Sequence, residues 1–128
     1  MINYPIEMKS HLQQTVTNLQ AAQGLLEASQ YDAAASRAAD AAFHIASALL
    51  LEEEIEPGKH GDVITLIQQI FVNGRRLTKE QGGDLNWLFA MRNAEDPGIS
   101  MPVTSDEAFR AAQIAESFFN AAKVILEA

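Results

Sequence analysis

Cysteine is absent from this chain, which excludes disulfides and thiolate metal sites and fits a reducing compartment. Positive charge is scarce: 9 Lys and Arg stand against 17 Asp and Glu, for a formal net charge of -8. A nucleic-acid binder usually carries a basic patch, so any RNA contact here has to come from a local cluster of arginines. No apolar run approaches the roughly 20 residues that span a bilayer. The opening MINYPIEMKSH lacks a basic region followed by an apolar block, so no secretory leader and a cytoplasmic location are expected. Walker, Gly-x-Ser-x-Gly and dinucleotide motifs are missing, and so is the Glu-x-x-His pair of di-iron bundles. His11, His44 and His60 are not spaced as a zinc set. No metal and no cofactor are expected. What remains is a chain of 128 residues, 48% hydrophobic, suited to one domain over 1–128 with a single core.

The apolar pattern is helical throughout, with no strand alternation, repeat or linker. Leu12, Val16, Leu19 and Leu26 mark a first helix over 6–30, with Gly24 and Ala28 open to a close neighbour and Gln13, Gln14, Asn18 and Gln20 on a solvated face. A second helix, over 31–55, has Asp32 near its start and an alanine-rich core side of Ala35, Ala38, Ala42, Ile45, Ala46 and Leu49. The breaker EPGKHG ends it. Asp62 starts a third helix, closed by Asn73-Gly74 and followed by Arg75-Arg76. Thr78-x-x-Gln81 and Thr104-x-x-Glu107 are capping boxes that open a fourth and a last helix, with a loop through Pro102 between them. The fold class is all-α, an up-and-down antiparallel bundle of four to five helices with short connections.

Two polar features break this pattern. Leu85, Leu88, Phe89 and Arg92 share one helical face, so Arg92 continues a stripe that is otherwise core. A guanidinium aimed inward needs a carboxylate, a polar cleft or a partner surface. Asn93, Glu95, Asp96, Pro97 and Gly98 follow it directly. On the second helix Arg37, Asp40, His44 and Ser47 form a narrow polar stripe beside Ala33, Ala41, Ala48 and Leu51. That stripe is either an exposed Arg37–Asp40 pair with an idle histidine or the wall of a cleft or subunit interface. For Arg92 two carboxylates compete. Asp96 precedes a proline, where helical geometry is disfavoured, so Asp40 is the expected mate.

The order RAADAAFHIASALLL, Lys59-His60-Gly61, Ile70-Phe71-Val72 and Leu88-Phe89-Ala90-Met91-Arg92-Asn93-Ala94-Glu95-Asp96 resembles the HEPN family of small prokaryotic helical domains. The resemblance covers residues 30–128. It implies a dimer with the end of the fourth helix near the dimer cleft. Many members are RNA-cleaving toxins, some are partnered with a minimal nucleotidyltransferase, and others bind RNA or nucleotide. By resemblance Arg92 and Asn93 match the catalytic pattern. The family His that should follow is replaced by Asp96, Pro97 and Gly98, and the tyrosine pair after the helix-two Arg by Ala39 and Asp40.

The resemblance leaves three expectations. The first is a homodimer binding RNA or nucleotide through Arg37, Asp40, Arg92 and His60, within a toxin–antitoxin or nucleotidyltransferase-linked pair. The second is a metal-independent ribonuclease in which Arg92, Asn93 and Asp96 act with a substituted base, His44 or His60. The third is a non-catalytic protein–protein module. None of them involves a membrane.

Overall fold

In a computed structural model, which describes residues 4–56, 60–93 and 102–127, the chain is an all-α bundle with no strand among those residues. Five α-helices follow one another: α1 (Tyr4–Glu27), α2 (Tyr31–Glu52), α3 (His60–Ile67), α4 (Lys79–Phe89) and α5 (Ser105–Glu127). A π-helical segment, Gln68–Val72, extends α3, and a 3-10 turn, Ala90–Asn93, extends α4.

The alanines of α2 place it at the centre. Ala35, Ala38, Ala42, Ile45, Ala46 and Leu49 are all fully buried, as expected. Ala41, Ala48 and Leu51 are buried too, so little of the helix is left for solvent. Side chains this small let α1 pack along one side of α2 and α5 along another. The hairpin between α1 and α2 turns at Ser29, whose φ of 58° is left-handed. At its other end α2 stops after Glu52, ahead of the breaker, because Glu54 turns left-handed (φ 59°) and Ile55 N–H donates back to Leu50 O.

Both capping boxes form. Thr78 Oγ1 accepts from Gln81 N–H at 3.0 Å, and Thr78 N–H donates to Gln81 Oε1 at 2.7 Å. Thr104 and Glu107 repeat the arrangement, which holds the Glu107 carboxyl below its usual range through the Thr104 backbone hydrogen bond. Asp32 fastens the start of α5 to α2, accepting from Val103 N–H at 2.6 Å. Gly82 permits a close approach of α4 to the segment after α3. A Cβ there would meet Gln68 Oε1 at 2.8 Å and Val72 Cγ2 at 2.9 Å, and Gln68 Nε2 donates to Gly82 O at 2.9 Å.

Three local expectations need correction. The segment after α3 does close at Asn73, whose N–H donates to Gln68 O, but the left-handed residue that follows is Arg75 (φ 64°) rather than Gly74, and Arg76 and Leu77 N–H both donate to Phe71 O. Gly24 has nothing within 4 Å of its Cβ position, and Ala28 is exposed, so neither receives a neighbour. The buried face of α1 follows the apolar stripe only in part: Leu26 is buried and Leu19 packs against the core, but polar residues join them. Val16 is 42% exposed, whereas Thr15, Asn18, Ala22 and Leu26 are buried. The burial is tolerated because Thr15 Oγ1 donates to His11 O and Asn18 Nδ2 to Gln14 O, each at 2.9 Å, so both side-chain donors are satisfied within their own helix.

Candidate functional site

The polar stripe of α2 faces a seam formed with α1 and the 3-10 turn of the same chain. Tightening from α-helix to 3-10 after Phe89 turns Arg92 out of the fully buried row of Leu85, Leu88 and Phe89. Its side chain stays 32% exposed, opposite an Asp40 side chain that is 27% exposed. Arg92 Nε donates to Asp40 Oδ1 at 2.8 Å, so the expected pairing is present within one subunit. The guanidinium carbon also lies 4.1 Å from the centre of the Phe43 ring, a cation–π contact. Ser36 Oγ donates to Arg92 O at 2.7 Å, which fixes the backbone of the turn to α2. Arg92 is thus held through its backbone, its planar head and its charge.

His44 lies one helical turn beyond Asp40, and its ring meets Phe43 edge-on at 5.8 Å. It is not idle. His44 Nδ1 stands 2.9 Å from Nδ1 of His11, which α1 supplies. Both imidazoles are half-buried. Burial pushes the pKa of His44 down first. The His11 charge adds to this, Asp40 opposes it, and Arg92 adds further. Burial also lowers the pKa of His11, against the pull of Glu7. At neutral pH both rings are therefore neutral.

The remaining site residues divide. Arg37 is exposed, and its guanidinium donates to Asn18 Oδ1 at 3.4 Å rather than pairing with Asp40. Ser47 is buried and donates to Phe43 O at 2.9 Å, a structural bond within α2. Asp96 lies outside the described residues, as do the side chains of His60 and Asn93. Among the described residues no group of three or more His, Cys, Asp or Glu could hold a metal ion, and no helix is long and apolar enough to cross a membrane.

Asn18 and His11 are the residues that sequence reasoning missed. The sequence pattern puts Asn18 on a solvated face and offers His11 only as a zinc candidate. Their signal was present as spacing: His11, Thr15, Asn18, Ala22 and Leu26 recur at i, i+4, i+7, i+11 and i+15, one helical face led by polar residues.

A model of the HEPN domain matches residues 8–125 of this chain. Two proteins of Methanocaldococcus jannaschii carrying the name "Putative toxin" are similar to it. One is 27% identical over 107 residues, 84% of this chain and 73% of that protein. The other is 32% identical over 121 residues, 94% of this chain and 90% of that protein. A UPF0332 protein of Pyrococcus horikoshii is 39% identical over 72 residues, 56% of this chain and 51% of that protein.

Proposed function

This chain belongs to the HEPN domain family, and on that premise we propose that it is a toxin-type HEPN domain that binds RNA or nucleotide phosphate at the Arg92–Asp40–His44 seam. Residues 1–128 act as one domain, the working form is a homodimer, and the partner is an antitoxin of the nucleotidyltransferase type. The toxin-named relatives support the class. One observation carries the binding site: Arg92, fixed by Asp40 and Phe43 yet 32% exposed, stands beside the His44–His11 pair, whereas Arg76 and Arg110, each also held by a carboxylate and an aromatic ring, have no such neighbour among the described residues. A cation already held in one geometry loses less freedom when a phosphate arrives. With no family His after Arg92, the usual Arg/His cleavage is not expected.

A second reading is favoured by the histidine seam. A neutral His44 beside Arg92 is a base near a cation, the pair that metal-independent RNA cleavage needs. His44 would take the 2′-hydroxyl proton while Arg92 stabilises the charge that develops on phosphorus.

Fluorescence anisotropy with a labelled single-stranded RNA, and competition by ATP, test the first reading. Arg92→Ala should weaken binding by about tenfold or more, the size of one charge-assisted hydrogen bond. Equal affinity in a variant with unchanged circular dichroism sinks the site. The RNA should be recovered intact. Cleavage that is lost in His44→Ala replaces the first reading with the second.

A further inference from the structure

His11 and His44 meet through like atoms, Nδ1 to Nδ1, at 2.9 Å. Two ring nitrogens at that distance hold one proton between them. Two protons would set N–H against N–H, and none would set lone pair against lone pair. One Nδ1 therefore donates and the other accepts. A neutral imidazole has a single N–H. The donating ring is left with a bare Nε2, and the accepting ring with Nε2–H. The seam thus carries a base at one end and an acid at the other. The rings are tilted by 39° with centroids 5.2 Å apart, so they meet at their edges rather than stacking.

We propose that His11 and His44 form one proton-sharing unit, in which His11 is a positioning residue that sets the tautomer of His44 and relays its proton. This rests on the second reading above, in which His44 is the base of RNA cleavage. When His44 is the donor, its Nε2 takes the 2′-hydroxyl proton of a bound ribose as that oxygen bonds to the adjacent phosphorus and the phosphorus–5′-oxygen bond breaks, the leaving oxygen taking a proton from water. The proton on His44 Nδ1 crosses to His11 Nδ1. His11 then releases its Nε2 proton to water. One proton enters and one leaves, the pair ends neutral, and the two tautomers have exchanged.

The surroundings suit this exchange. The charged groups facing the pair are Glu7 on α1, Asp40 on α2 and Arg92 on the 3-10 turn. Phe43 backs the His44 ring, and Thr15 Oγ1 donates to the carbonyl of His11 itself. Both rings are half-buried. The pairing also gives α1 a part in a site otherwise built on α2 and the end of α4.

Ring-nitrogen NMR on the full chain, without nucleic acid, tests the unit. In the wild type, one of the two rings should be protonated at Nδ1, and both should titrate in coupled steps below 6.5. His11→Gln should remove the coupling and move the His44 titration back toward 6.5. Two Nε2–H tautomers, titrating independently and with His44 unmoved by the substitution, would overturn the proposal. Because no RNA is present, that failure is distinct from failure of the cleavage reading, which recovery of intact RNA decides.

Discussion

Arg92 lies between two electrostatic regimes. An exposed ion pair contributes about 0–1 kcal/mol, and breaking a buried one costs about 3–5 kcal/mol. With 32% and 27% of their side chains exposed, Arg92 and Asp40 belong to neither limit. The Phe43 ring adds a contact that survives loss of the carboxylate. Urea unfolding of Arg92→Ala, Asp40→Ala and the double variant should therefore give a coupling of about 1–2 kcal/mol, within the range for touching residues. Additivity within about 0.3–0.5 kcal/mol would mean that the pair has no energetic content. The mate of Arg92 was legible in the sequence because only two carboxylates competed and Pro97 disfavoured one. The cation–π contact was not, because it depends on the 3-10 tightening that swings the guanidinium over Phe43.

At the scale of elements, the features that depend on one turn of chain follow directly from the sequence. Both capping boxes form because Thr and Gln or Glu satisfy backbone N–H groups within one turn. The alanine side of α2 is core because nothing else in the chain offers so long a small-residue surface. The face of α1 was not legible. Val16 of its apolar stripe is left exposed while His11, Thr15 and Asn18 lead the buried face down to Leu26, since α2 is smooth enough to take α1 closely and two of these side chains bond to α1 carbonyls. The same face gives the α1–α2 seam an acid sensitivity. Both histidine pKa values are lowered in the folded chain. Between the lowered values and 6.5 the unfolded chain binds more protons than the folded one. Stability is therefore fully present above 6.5, falls as pH drops through that window, and levels off below the folded values. Thermal melts from pH 7.5 down to about pH 5.5, above the range where most carboxylates titrate, should show this loss. A His11→Gln, His44→Gln double variant should lose clearly less over the same interval. An equal loss in both proteins would mean that the seam does not sense protons.

The whole molecule carries its charge against its own proposed assembly. Each copy brings a net charge of -8, so a homodimer gathers like charge that only counterions relieve. Association has to come from surface that is not charged, and the chain has some to offer. Ile6, Val16, Phe109 and Val124 remain between 42% and 69% exposed, and Leu12, Val16, Phe119 and Leu126 line an open groove between α1 and α5. Screening shortens the reach of the repulsion from about 10 Å at 0.1 M salt to about 3 Å at 1 M, while salt leaves apolar burial intact or strengthens it. The dimer should therefore tighten as salt rises. In sedimentation equilibrium at micromolar concentration, the dimer fraction at about 0.5 M NaCl should exceed that at about 0.05 M, where the Debye length is longer than 10 Å. Binding of RNA should respond in the opposite sense, because each phosphate met by a cation such as Arg92 releases counterions and loses affinity with salt. A dimer that dissociates at high salt would mean that complementary charges hold it. A chain that stays monomeric at both salts would remove the homodimer from the proposal and leave the Arg92 seam to act within a single copy.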